Sequence, residues 1–304
     1  MIAQSNKIKQ RIFDIKHGRV KEGLKIGIPE IDEYLRLKYA EGSLNLAIGH
    51  SNVGKTTVLV YLFTIWAIKH NLRFVIFSSE NTPQSIVRKI IEFKMGKPIH
   101  TASEESITKA INWSDKHFKV IDADKIYTYV ELLKEIKSIK EAWDFHGLLI
   151  DPYNSLSRDA NLARQYNGYE YNYYCLTELR LFSRQEKIAI WVNCHGVTDA
   201  MRKVYPSGHE YEGMVKPLNL ADVEGGGAFG NRADDVICIH RMTSSPNEWM
   251  FSHITVLKIK ETETGGRCSP YEQPIKLRMV INNVGFEFKG KDILHEKPLE
   301  KIKF

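Results

Sequence analysis

Short apolar runs and longer helical periodicities take turns along most of this chain. Residues 43–48, with Leu44, Leu46, Ala47 and Ile48, read as a buried strand. Residues 57–70 carry Val58, Leu59, Leu62, Ile65, Trp66 and Ile68 at helical spacing. A β-rich run follows at 73–79, then a helix from about 84 to 95. Residues 96–117 are polar and predict no definite element. A strand is expected at 118–122, and an amphipathic helix at 129–143 with Leu132, Leu133, Ile136 and Ile139. Residues 147–151 form an apolar strand ending in an acid. A polar loop, 152–168, leads to a helix over 169–186 with Leu176, Leu179 and Phe182 inward. Further strands are expected at 188–194, 236–241 and 250–260, with β segments over 275–288. Strands alternating with helices, then a β-rich end, predict an α/β fold: a mostly parallel twisted sheet flanked by helices, with an antiparallel edge at the C-terminal end.

The ends and loops add organisation. Residues 1–20 are basic, with Lys7, Lys9, Arg11, Lys16 and Arg19, and carry an apolar stripe of Ile8, Ile12, Phe13 and Ile15. A helix this short cannot bury such a stripe by itself, so it either docks on something or remains a frayed terminus. This divides the chain into a linker, 1–22, and a main domain, 23–304. Residues 196–221 form a long loop rich in glycine, proline and charge, of a length that is usually functional or disordered. The tyrosines Tyr169, Tyr171, Tyr173 and Tyr174 are expected to pack against the sheet or a neighbouring subunit rather than to stack on a ligand.

Composition narrows the class. At 304 residues the chain suits one large α/β domain or two small ones. A net charge of +6 is compatible with a polyanionic partner without establishing one. Cys175, Cys194, Cys238 and Cys268 stand far apart, which does not support a zinc module and suggests a reducing compartment, the cytoplasm. No apolar run approaches the roughly 20 residues of a membrane span, and no signal-peptide pattern opens the sequence, so no membrane partner is expected.

The stretch Gly49-His50-Ser51-Asn52-Val53-Gly54-Lys55-Thr56 fits the pattern G-x-x-x-x-G-K-[ST]. It lies between the first strand and the following helix, where a phosphate-binding loop belongs. Its glycines let the backbone turn and aim N–H groups at phosphate oxygens, aided by the helix N-terminus. Lys55 reaches the outer phosphates in this reading, Thr57 continues the cradle, and the Thr56 hydroxyl holds Mg²⁺. ATP and Mg²⁺ are the expected ligands. Glu80 follows a strand end, where ligands bind in open α/β sheets, although Glu80-Asn81-Thr82-Pro83 also reads as a helix start. Asp151 ends its strand as the Walker B acid that orients the Mg²⁺ shell.

The ordered set resembles the RecA-like core of replicative ring helicases, the DnaB and phage or mitochondrial primase-helicase group. Its stations are the phosphate loop, Glu80, Ile150-Asp151-Pro152-Tyr153-Asn154, Leu179 to Gln185, Val192-Asn193-Cys194-His195, Gly226 to Asp234, and Lys258-Ile259-Lys260-Glu261-Thr262. The resemblance covers about residues 23–285. It implies that Glu80 is the general base and that His195 senses the γ-phosphate. It implies that Lys258 and Lys260 reach into a neighbour's ATP and that Arg241 contacts phosphate from that same neighbour. The family's finger is Lys-x-Arg, and here it is Lys-x-Lys, so Lys260 is a weaker finger unless Arg241 or Arg267 provides the planar fork. By position, Arg202, Lys203 and Lys216 in one loop, and Gly225, Gly226, Gly227, Asn231 and Arg232 in the next, face DNA. Glu224 stands where many members carry a basic residue.

The function this implies is an ATP-dependent replicative DNA helicase motor, a homo-hexamer threading single-stranded DNA with 5′ to 3′ polarity. A recombinase-like filament former or regulatory ATPase without unwinding is the alternative. No priming module is apparent, so a primase or loader would be a separate partner or a missing segment.

Overall fold

The computed structural model describes residues 5–295 apart from 281 and 283. The outer ends of the two expected segments, 1–4 and 296–304, and part of the last β segment lie outside them. In chain order the first half holds α1 (Ser5–Lys16), α2 (Pro29–Asp32), β1 (Ser43–Gly49), α3 (Lys55–His70), β2 (Phe74–Ser78), α4 (Pro83–Met95), α5 (Glu104–His117), β3 (Phe118–Ile121) and α6 (Tyr129–Ala142). The second half holds β4 (Gly147–Asp151), α7 (Ala160–Gln165), α8 (Gly168–Glu186), β5 (Ala189–His195), α9 (Ala228–Arg232), β6 (Asp235–His240), β7 (Phe251–Lys258), β8 (Ile275–Met279), β9 (Phe286–Phe288) and β10 (Lys291–Asp292).

Among the described residues ten strands form one sheet in the order β10-β9-β8-β7-β6-β1-β5-β4-β2-β3. From β6 to β3 all pairs are parallel, and from β6 to β10 all are antiparallel. The strand pleat divides the core in two. Ala47, Phe74, Ile76, Leu149 and Trp191 face a layer built by Val58, Leu59, Phe63 and Trp66 of α3 and Ile86, Ile90 and Phe93 of α4. Leu44, Leu46, Ile48, Val75, Ile150 and Val192 face the other, filled by Leu132 and Ile136 of α6 and Leu176 and Leu179 of α8. α3 is apolar nearly all round because it lies under other elements along its whole length.

Three stretches differ from the sequence expectation. The polar segment 96–117 contains α5, started by the Ser103 hydroxyl accepting from Ser106 N–H and by Glu104 and Glu105 in the first turn. Only Ala110, Ser114 and His117 of this helix are buried, so its apolar signal is thin. The loop 152–168 contains α7, capped by Asp159. The loop 196–221 is folded back on itself by bridges between Val204 and Val215 and between Tyr205 and Glu212. α1 buries none of its residues, and Arg11 tethers it to Glu41 at 2.7 Å.

Gly42 shows how closely the chain enters the first strand. Its φ is +72°, and a Cβ there would lie 2.2 Å from the Ser183 carbonyl oxygen at the end of α8. Gly42→Ala is therefore expected to destabilise the protein by about 3 kcal/mol through strain and overpacking. Urea denaturation checks this, and an unchanged midpoint would contradict the close approach.

Candidate active site

The C-terminal ends of β1, β2, β4, β5 and β6 lie along one edge of the sheet, and the loops leaving them make the site. Gly49 closes β1 against β6: a Cβ on it would sit 2.3 Å from the Ile239 carbonyl oxygen. Its glycine is thus required by strand packing. Asn52 (φ +61°) and Gly54 (φ +86°) turn the loop through left-handed conformations. Ser51 and Asn52 are exposed, whereas His50, Val53 and Lys55 are buried. The space beside Gly54 is open, with Arg241 Cδ at 3.9 Å as its only neighbour among the described residues.

Lys55 Nζ donates to the carbonyls of Gly49 (3.0 Å) and His50 (2.8 Å). Burial pulls its pKa below that of an ordinary lysine, against the opposing pull of Asp151 and Glu80. Asp151 is fully buried and accepts from Thr56 Oγ1 (2.9 Å), Ser78 Oγ (3.0 Å) and Asn193 Nδ2. Burial raises its pKa above the usual carboxylate range, which those hydrogen bonds oppose. The row is a consequence of register: Ser78 pairs with Asp151 across β2 and β4, and Ile150 pairs with Val192 across β4 and β5. Oxygen donors are what a hard divalent cation takes, and Thr56 and Asp151 offer them side by side. Asn193 Oδ1, buried beside them with no hydrogen-bond partner among the described residues, adds a further acceptor. The residues present therefore fit Mg²⁺.

Glu80 sits just beyond β2, its side chain half exposed, in a bend where Asn81 N–H donates to Ser78 Oγ. The start of α4 is capped by Thr82, which accepts from Ser85 N–H, so Glu80 is not the capping residue. Its Oε1 lies 3.4 Å from His195 Nε2. His195 Nδ1 lies 3.4 Å from both Lys55 Nζ and Ser51 Oγ. An ammonium only donates, so Nδ1 is the acceptor in this arrangement and Nε2 carries the proton toward Glu80. His195 thus bridges Lys55 and Glu80.

The remaining expected residues separate. Arg241 follows β6 and lies beside this chain's own phosphate loop, its guanidinium donating twice to the Trp249 carbonyl oxygen (3.0 and 2.6 Å). This corrects the expectation that it serves a neighbouring subunit's site. With Gly54, Thr57, Lys89, His100 and Phe286 it lines a cleft of about 440 Å³. Lys89, which no sequence motif singles out, donates to Thr57 Oγ1 at 3.2 Å, and burial lowers its pKa. Lys258 and Lys260 lie at the far edge of the sheet, because β7 runs antiparallel to β6 and Lys258 pairs with Val236 at its start. Lys258 Nζ donates to the Gly230 carbonyl, and the Lys260 ammonium is 3.9 Å from Asp234. Arg267 is paired with Glu33.

On the loops expected to face DNA, Arg202 is exposed, 3.3 Å from Asp199. Lys203 is paired with Asp222. Lys216 lies over the Tyr205 ring, and its carbonyl contacts His50 Nε2 at 3.0 Å, tying this loop to the phosphate loop. Gly225 packs tightly: a Cβ would meet Phe229 at 2.6 Å and Asn172 at 2.7 Å. Gly226 and Gly227 are open, Asn231 is exposed, and Arg232 lies over the Tyr173 ring. Glu224 accepts from Asn154 Nδ2 at 3.2 Å.

No protein-family model matches the chain. The Twinkle homolog protein, chloroplastic/mitochondrial, of Arabidopsis thaliana is 25% identical over 75% of this chain and 32% of its own length. The chain thus spans about a third of the length of that curated relative. Among solved structures, an ATPase domain determined on its own superposes with a TM-score of 0.72 at 12% identity, over 94% of this chain and 99% of that one. A DnaB-like replicative helicase, determined with its interactions with primase, superposes with a TM-score of 0.70 at 13% identity, over 94% of this chain and 67% of that one. With its phosphate loop, its mostly parallel sheet and its antiparallel edge, the chain has the RecA-like ATPase fold of DnaB-like replicative helicases.

Proposed function

We propose that this chain is the motor of a replicative DNA helicase: it hydrolyses Mg²⁺-ATP and moves along single-stranded DNA as a ring-forming homo-oligomer, a hexamer. The observation that carries the reading is a division within the site. Lys55, Thr56, Glu80, Asp151 and His195 converge at one edge of the sheet, and Lys258 and Lys260 lie at the opposite edge. One copy therefore holds the phosphate cradle and base, and the finger of a second copy completes it.

The chain's own residues divide the work. Loop N–H groups and Lys55 hold the phosphates, which draws the Lys55 ammonium away from the Gly49 and His50 carbonyls. Thr56 and Asp151 hold Mg²⁺, which when bound bridges and neutralises the outer phosphates. Glu80 orients the attacking water and takes its proton. His195, between Lys55 and Glu80, responds when either moves and passes that response to the loop that follows it. Arg241 and Lys89 bind the nucleotide on the near side of the same cleft. The loops 196–221 and 222–232 follow the DNA strand, with Arg202, Lys216, Gly226, Gly227 and Asn231 nearest to it.

Residues 1–22 act as a linker whose α1 docks its exposed Ile8, Ile12, Phe13 and Ile15 on the neighbouring copy, and 23–304 form the motor domain. Removal of residues 1–20 is expected to shift the oligomer toward smaller species in analytical ultracentrifugation, and an unchanged hexamer refutes that docking. Primase or loader partners are separate chains in this reading. Among the described residues no helix is long and apolar enough to cross a membrane, and the motor works in the cytoplasm, or the host's if the chain is viral.

The test is ATP hydrolysis with and without single-stranded DNA, alongside unwinding of a forked duplex, with Lys55→Ala as control. Unwinding that Lys55→Ala abolishes is the expected result. Hydrolysis stimulated by DNA without unwinding would instead favour the recombinase-like or regulatory reading.

A further inference from the structure

The outward face of α8 carries aromatic rings where a solvated helix carries charge. Tyr169 and Tyr173, one turn apart, are 48% and 36% exposed, with rings nearly parallel at 26° and centroids 6.2 Å apart. Tyr166 and Tyr174 stack beside them at 5.4 Å and 20°. The inward side of the same helix is closed by Tyr171, Cys175, Leu176 and Leu179. The outer tyrosines are therefore not needed to fill the core, contrary to the packing role expected from the sequence. The Arg232 guanidinium lies 3.7 Å from the Tyr173 ring centroid, and its Nε has no hydrogen-bond partner among the described residues. The Tyr169 ring reaches to 4.0 Å from the Cβ position of Gly226, and no described residue lies within 4 Å of that of Gly227.

We propose that Tyr169 and Tyr173, flanked by Arg232, form a platform on which bases of single-stranded DNA stack beside the open backbone of Gly226 and Gly227. The proposal rests on the helicase reading above, which brings a single strand to these loops, and adds that the strand's bases, not only its phosphates, are held. Three features favour this occupant over a protein surface. The shallow depression around the rings contains no aliphatic side chain among the described residues, which a docking helix would need as a counterpart. Flat exposed rings accept any base, and an adjacent cation suits the phosphate that links two bases. The nearest acid, Glu170, is turned back in its helix's capping box, accepting from Asn167 N–H at 3.1 Å, while Glu178 lies at the far end, beside Tyr174. The platform also joins the glycine loop without a break, so backbone and base contacts fall on neighbouring nucleotides.

The test compares two probes bound to the full chain by fluorescence anisotropy: labelled oligothymidylate and an abasic deoxyribose-phosphate oligomer of the same length. The unmodified protein is expected to prefer oligothymidylate. The double variant Tyr169→Ala/Tyr173→Ala is expected to bind it about ten- to a hundred-fold more weakly, by the size of base–aromatic stacking. Its affinity for the abasic oligomer is expected to stay unchanged. Tyr169→Phe/Tyr173→Phe keeps the rings and is expected to retain the preference. Equal loss on both probes would mean that the rings serve the fold or the phosphate path, and overturns the platform. An unchanged oligothymidylate affinity overturns it too, and a smaller oligomer in sedimentation would then identify a second copy as the occupant. Failure of the unmodified protein to bind either probe overturns the single-strand reading itself, and the platform with it.

Discussion

Replacing Glu80 with Gln is expected to lower kcat for ATP hydrolysis by about 10²–10⁴-fold, with nucleotide affinity retained. Gln keeps the size of the side chain and can still receive the His195 Nε2 proton through its amide oxygen. What it cannot do is take a proton from the attacking water. The side chain is half exposed and outside both core layers, and the α4 cap belongs to Thr82, so folding has no stake in the carboxylate. The phosphate contacts of Lys55 and the loop remain, which separates this variant from Lys55→Ala, where binding itself suffers. Steady-state turnover together with titration of a fluorescent ATP analogue reads the two effects apart. Undiminished turnover would remove Glu80 from the chemistry and leave its contact with His195 as an ordinary surface pair.

Lys260→Ala is expected to cost about 10²–10³ in turnover, the loss of one charge-stabilising donor, and to do so in a manner that mixing can rescue. The ammonium is at the opposite edge of the sheet from Lys55, half exposed, and its backbone N–H is held by the Asp234 carbonyl (3.0 Å) and Asp235 Oδ1 (3.1 Å). Burial, then the nearby Arg180, lowers its pKa. That geometry cannot serve its own chain's phosphates. In an oligomer of Lys260→Ala and Lys55→Ala chains, an intact cradle meets an intact finger at about a quarter of the head-to-tail interfaces in an even mixture. Activity of the mixture should therefore exceed that of either variant alone. Mixed oligomers with no such recovery would place Lys260 in the network of Arg180, Asp234 and Lys38 at the base of the sheet, as a structural charge only. Lys260→Arg is expected to raise turnover, because a planar fork matches phosphate oxygens better than an ammonium.

Much of the site is legible in the chain itself. The glycines, lysine and threonine of residues 49–56 are consecutive, so their chemistry is a local property of a strand, a tight turn and a helix start. Asp151 and His195 each end a run of buried residues, and a strand end in a parallel sheet is by topology a position on the ligand edge. Helices with a full apolar stripe, such as α3, α6 and α8, are legible for the same reason. α5 is not, because a helix that buries little leaves no stripe, and its caps are single residues in a polar stretch.

What the tertiary structure alone decided concerns residues far apart in sequence. Ser78 and Asn193 support Asp151 because strand order and register set β2, β4 and β5 side by side, and nothing local to either residue records that. Arg241 falls beside its own phosphate loop because β6 pairs with β1, while Lys260 is carried to the opposite edge by the reversal between β6 and β7. Gly225 reads like its neighbours Gly226 and Gly227, yet Phe229 and Asn172 close on it and leave the other two open. The sequence by itself determined the kind of chemistry, since backbone turn, helix start and strand end are set within a few residues by sterics and apolar period. Which side chains meet, and which are kept apart for a second copy, followed from long-range strand pairing, whose register depends on the packing of the whole sheet.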